Sequence, residues 1–224
     1  MKDFAFILRR LSTILAVVML TLTLIAATSG ILMAFYYTPS AGGSNEALQT
    51  LASDVSFGWL VLSLHHLAGN AVIVVGLIQI VVMFLGERFR RSWLTAWISG
   101  ILFVLAAIGL SWTAIILDWS QLGYWRFRIE LGTIEALPLI GPQVRDILTG
   151  GAIGTITVEH LYTLHSFVVS FAAVGLSLIH LGGLLIQELE IRRVAAEPPI
   201  EALASEVVPP TAQTGAEPSN GLPV

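Results

Sequence analysis

The sequence predicts an all-α membrane protein, a four-helix transmembrane bundle with amphipathic surface helices between spans three and four. Three observations carry this. Of the 224 residues, 55% are apolar and 12% are charged, about half the charged share of a soluble domain. Four apolar runs are each long enough to cross roughly 30 Å of hydrocarbon at about 1.5 Å per residue. Basic residues flank three of these runs and are missing from the first loop.

The first run, Leu11–Tyr37, follows Lys2, Arg9 and Arg10. Its basic start and the string "AATSG" resemble a signal peptide, but the apolar stretch continues through "ILMAFYY" and reads as a retained span. The second run, Phe57–Leu85, is followed by Arg88, Arg90 and Arg91. The third is Leu94–Leu117. The fourth, Val158–Gln187, precedes Arg192 and Arg193. In the loop after span three, Arg126, Arg128 and Arg145 are offset by Asp118, Glu130, Glu135 and Asp146. By the positive-inside rule both termini face the cytoplasm, here the n side, and the opposite face is the p side. A bacterial inner membrane is the expected setting.

Trp and Tyr between spans three and four suit a membrane interface, and Pro and Gly there punctuate short amphipathic helices. Residues 1–194 thus form the membrane domain. Residues 195–224 are a Pro-rich, acidic tail that reads as disordered. The chain has no cysteine, which excludes disulfides, iron–sulfur ligation and thioether-attached heme within it. The few basic residues form no patch for nucleic acid, so membrane lipid is the expected surroundings.

The chemistry lies in the histidines. His65 stands near the p-side start of span two and His165 near the p-side start of span four. Two imidazoles at one depth on different helices make a ligand pair, and heme iron with two axial histidines suits an apolar bundle. A second level lies deeper. Gln79 follows His65 by fourteen residues, which advance about 21 Å and end about 40° off. His180 follows His165 by fifteen residues, which advance about 22 Å and end about 60° off. Spans one and three repeat the fourteen-residue interval in small residues, Ala16 with Gly30 and Gly100 with Ala114. Such residues leave room for a macrocycle. His180 is either a second metal ligand or a histidine reaching toward the n-side headgroups. Gln79 is more often an interhelical hydrogen-bonding residue than a ligand. His66 points about 100° from His65 and cannot share its role; a propionate or quinone-site contact and a solvated interfacial histidine both remain open for it.

From Gly30 to Leu181 the chain resembles the N-terminal, heme-bearing half of cytochrome b, above all its short split form, cytochrome b6. The strings "GILMAFYYTPS", "FGWLVLSLHHLAGN", "LDWSQLGYW", "IEALPLIG" and "HLYTLHSFVV" carry the resemblance, in that order. It implies heme b held by His65 and His165 on the p side, with Gly30 and Ala114 beside it. On the n side it implies a second heme with His180 as one ligand and Gly100 alongside. The partner position is Gln79, so this heme is either held by His180 alone or absent. Other departures are His66 and His160 where the family usually has arginines, Leu22 in place of a heme-anchoring cysteine, and Asp118 in place of a proline.

The resemblance implies a b-type cytochrome subunit of a membrane quinol-oxidising complex of the bc/b6f kind, relaying electrons from quinol through heme b. The implied partners are a Rieske-type iron–sulfur subunit, a c-type cytochrome and a second cytochrome b fragment. The last is needed because no Pro-Glu-Trp-Tyr string, the family's source of a proton-accepting glutamate at the quinol site, occurs in the chain. It reads as an electron-transfer subunit rather than a complete enzyme. Two alternatives stand beside this: a one-heme membrane anchor of another respiratory oxidoreductase, and a quinone-binding anchor without heme.

Overall fold

The computed structural model describes residues 2–86 and 93–196; Arg88, Arg90, Arg91 and the Pro-rich tail beyond Ala196 lie outside the described residues. Helix α1 (Lys2–Ala34) is followed by α2 (Ser44–Asp54), α3 (Gly58–Leu85) and α4 (Leu94–Leu117). Then come α5 (Gln121–Glu135), α6 (Gly141–Thr149), α7 (Thr155–Thr163), a π-helical turn (Leu164–Val169) and α8 (Ser170–Ala196). No strand occurs among the described residues. Helices α1, α3, α4 and the continuous α7–π–α8 rod are long and apolar enough to cross a membrane.

The spans match the four apolar runs with shifted ends. Helix α1 begins before its apolar run, because hydrogen bonding carries the helix past the hydrocarbon boundary, and it ends at Ala34. The stop follows from Pro39, which has no N–H to donate and drives the preceding Thr38 away from helical angles. The stretch after it, read from sequence as a plain loop, folds into α2. The run "SNEALQTLASD" is rich in helix formers and places Glu46 in the first turn, where the helix dipole favours a carboxylate.

Large apolar side chains such as Ile14, Val74, Phe84, Leu105 and Phe171 face outward, as expected where the surroundings are lipid tails. Inside, Met19, Val72, Phe103, Val104, Ala107 and Ala173 form an apolar cluster drawn from all four spans. A second cluster, Ile116, Leu117, Phe127, Leu131, Val158 and Leu161, fastens α5 beneath the ends of α4 and α7. Trp112 of α4 donates its indole N–H to Glu130 of α5 at 2.6 Å, and Arg126 pairs with the same carboxylate at 2.7 Å. Asn45 donates to the Asp118 carbonyl at 3.1 Å, tying the start of α2 to the end of α4. The chain to Leu185 is one compact unit, and a second begins at Ile186. In the described part of the second, Arg192 pairs with Glu188 one turn back at 3.4 Å.

Between α2 and α3 the chain turns at Phe57, whose φ of 62° lies in the left-handed region. Gly58 follows with no room for a side chain, since a Cβ there would collide with the Leu51 carbonyl oxygen. Gly58→Ala is therefore expected to cost about 1–3 kcal/mol, read as a lowered unfolding midpoint in detergent. Gly42→Ala, into open space, should leave the midpoint unchanged.

Beyond the end of α1, the Tyr37 hydroxyl donates to the Leu117 carbonyl at 2.8 Å, and its ring stacks on Tyr162 at 5.3 Å. Burial, opposed by Ser44 and aided by Tyr162 and Asp118, pushes the phenol from 10.0 up to about 12. A pKa raised by folding means that this group's contribution is whole below pH 10 and fades as pH climbs through about 12. Wild-type protein should lose thermal stability across that window more steeply than Tyr37→Phe does.

Candidate functional site

His65 of α3 and His165 of the π-helical turn approach with ring centroids 6.3 Å apart and planes 53° apart. Each ring is oriented by a neighbouring helix. His65 Nδ1 lies 2.9 Å from the Ala26 carbonyl of α1 and 3.2 Å from the Ser29 hydroxyl. A carbonyl only accepts, so Nδ1 carries the proton and Nε2 keeps its lone pair. His165 Nδ1 lies 2.7 Å from the Thr113 hydroxyl of α4. That hydroxyl donates onward to the Leu110 carbonyl at 3.0 Å, which leaves it to accept from Nδ1–H. Both rings thus present an unprotonated Nε2, the state in which imidazole binds metal.

Gly30 makes room for this arrangement: a Cβ there would stand 3.0 Å from His65 Cε1. Ala114 is half-buried beside Thr113. Two imidazoles bonded end-on to one metal at about 2 Å from each nitrogen have ring centres roughly 6 Å apart, and the observed spacing suits this. Among the described residues no three His, Cys, Asp or Glu side chains gather to hold a bare ion. Two imidazoles alone fit a metal whose other ligands come with it, as in a macrocycle.

The deeper level is built differently. His180 Nδ1 lies 2.8 Å from the Ala96 carbonyl of α4, so its Nε2 also keeps the lone pair. Here, however, the Gln79 amide nitrogen reaches that Nε2 at 3.0 Å. The same nitrogen lies 3.4 Å from the Ser12 hydroxyl of α1. Gln79, His180 and Ser12 are all buried, as is Ala16. Gly100 adjoins His180, and a Cβ there would stand 2.8 Å from the imidazole.

The residues singled out in the sequence therefore gather at two depths. Several of their supports were missed. Thr113, which receives His165 Nδ1–H, immediately precedes Ala114, one position from a residue that the fourteen-residue interval singles out. The carbonyls of Ala26 and Ala96 had no signal, because every residue has one. The π-helical turn was also missed. A π turn takes up about one extra residue, so the fifteen-residue step from His165 to His180 serves as fourteen residues of α-helix. This replaces the roughly 60° offset expected from uniform pitch with the roughly 40° offset of the step from His65 to Gln79.

Two of the other departures lie at the surface. His66 is exposed, its ring centroid 6.3 Å from that of His65. His160, also exposed, has Nδ1 2.7 Å from the Ile147 carbonyl. Leu22 packs against the cluster at mid-span.

Residues 6–188 match the family described as cytochrome b/b6/petB. The cytochrome b6 of Tupiella akineta is 31% identical over 161 residues, covering 71% of this chain and 75% of its own. That of Mastigocladus laminosus is 31% identical over 162 residues, covering 72% of this chain and 75% of its own. Among solved structures, a chain of "Hyperthermophilic respiratory Complex III" shares the fold with a TM-score of 0.66 at 22% identity. The match covers 77% of this chain and 47% of that one, so this chain spans about half the length of its structural neighbour. Four spans, histidines at matched depth and a family match across nearly all of the membrane-embedded sequence agree: this integral, multi-pass membrane protein belongs to the cytochrome b/b6 family of b-type cytochromes.

Proposed function

We propose that the chain is the electron-transfer subunit of a membrane quinol-oxidising complex of the bc/b6f kind, with one heme b held between His65 and His165. The observation that carries this is the pair of imidazoles with centroids 6.3 Å apart, each with Nδ1 engaged and Nε2 left for a metal. Bound heme supplies a one-electron iron couple. The chain's residues do the rest. Ala26 and Thr113 fix the ring tautomers, Gly30 clears the face beside His65, and the π-helical turn sets the depth of His165. Apolar spans exclude water from the ring pair.

The partners proposed are a Rieske-type iron–sulfur subunit that takes the first electron from quinol, a c-type cytochrome downstream, and a second cytochrome b fragment. The third rests on the missing Pro-Glu-Trp-Tyr string, without which this chain lacks the proton-accepting glutamate of the family's quinol site. We place the chain in a bacterial inner membrane with both termini cytoplasmic, from the basic residues flanking spans one, two and four.

His65→Ala and His165→Ala should each abolish the low-spin heme spectrum of the purified chain. A wild-type spectrum and full heme content in both would overturn the ligand assignment. Thr113→Val removes only the hydroxyl that receives His165 Nδ1–H, and should weaken heme retention about 10–100-fold, measured by transfer to apomyoglobin.

Topology has its own test. A cysteine introduced at Ala212 should resist an impermeant thiol reagent added to sealed vesicles from the p side, while one at Gln121 should react. The reverse pattern would invert the orientation.

A further inference from the structure

We infer that the Gln79 level of this bundle is closed to heme, and that the Gln79 side chain is what closes it. The inference rests on the heme reading above and concerns the second level alone. One iron bonded to groups on both sides at about 2 Å holds its two donor atoms about 4 Å apart. The Gln79 amide nitrogen and His180 Nε2 are 3.0 Å apart and hydrogen-bonded to each other. The lone pair that His65 and His165 leave for a metal is, on His180, already spent.

Two further hydrogen bonds extend from this pair. Nδ1 of His180 is tied to the Ala96 carbonyl, and the second hydrogen of the Gln79 amide points to the Ser12 hydroxyl. Helices α1, α3, α4 and α8 are thereby joined in one run, Ser12–Gln79–His180–Ala96. On one side α8 lies against α4, where a Cβ on Gly183 would stand 3.2 Å from the Ala96 nitrogen. Gln79 Oε1 is buried without a hydrogen-bond partner. Turning the amide over would set that oxygen against the Nε2 lone pair, so one amide hydrogen faces His180 and the oxygen is left over. An amide nitrogen in this role has no lone pair to offer iron, whereas a histidine at the same place would.

The test counts heme per chain by pyridine hemochromogen on the full chain from its native membrane complex, with electron paramagnetic resonance of the oxidised protein. The b-type heme is counted separately from any c-type partner. Wild type is expected to show one b heme and one low-spin signal per chain, and two b hemes would overturn the inference. A wild-type chain with none would instead defeat the heme reading on which it rests. His180→Ala should keep its one heme; loss of heme there while His65→Ala retains it would overturn the inference. Because His180→Ala strands a buried amide, Gln79→Leu serves as the second variant and should also keep one heme. Gln79→His should raise the count to two low-spin hemes. A count still at one in that variant would overturn the assignment of Gln79 as the residue that closes the level.

Discussion

Inside a bilayer no water waits to satisfy a polar group, and an unpaired one costs several kcal/mol. The hydrogen bonds of the interior histidines answer that constraint. Each interior histidine turns Nδ1 to an acceptor on a neighbouring helix: a carbonyl of α1 for His65, a hydroxyl of α4 for His165, a carbonyl of α4 for His180. Interior hydroxyls return to their own helix, as Thr23 does to Met19 and Ser99 to Thr95. These bonds set depth and ring orientation, and apolar packing fills the remaining space. With both tautomer and direction fixed from outside, the second nitrogen of each ring is directed by architecture rather than by its own preference.

Much of this was legible in the sequence, for a physical reason. A bilayer-spanning helix must be long and apolar, so the spans announce themselves. Fourteen residues are close to four whole turns, so His65 with Gln79 and Gly100 with Ala114 place related side chains on one face at two depths. What could not be read depends on tertiary contact. The π-helical turn leaves no mark in "LHSFVV", since a residue gained within a turn alters hydrogen-bond register and not composition. Helix α2 carries helix formers, but eleven mostly polar residues between Gly and Pro punctuation give no span signal, and what holds it, Leu51 buried against Gly58, is a tertiary contact. The sequence alone leaves Gln79 open, because an amide near a histidine suits either a ligand sphere or a direct bond; the 3.0 Å separation from His180 Nε2 is visible only in the structure.

The two levels also show how little separates the proposed ligand site from a structural bond. Both have an imidazole with its N–H tied behind it and a glycine pressed against the ring. At one level a second imidazole with a spare lone pair stands across the gap, at the distance of a shared metal. At the other, an amide hydrogen occupies that lone pair and draws α3 and α8 together. The chief difference is the side chain that α3 sets across the gap, an imidazole at one level and an amide at the other.

The Gln79–His180 bond has an electrical meaning. An electron that steps from one end of a bundle to the other, about 21 Å along the membrane normal, moves through much of the transmembrane voltage. The work is as much as about 2.3 kcal/mol per 100 mV for a full crossing. A bundle with iron at both depths is therefore a voltage-loaded conductor, in which electron sharing between the two irons tilts with membrane potential. On the one-heme reading proposed above, with the Gln79–His180 hydrogen bond at the other depth, an electron held at the His65 level would stay on one equipotential. The chain would then behave as a terminal rather than a wire, its internal redox balance untouched by energising the membrane.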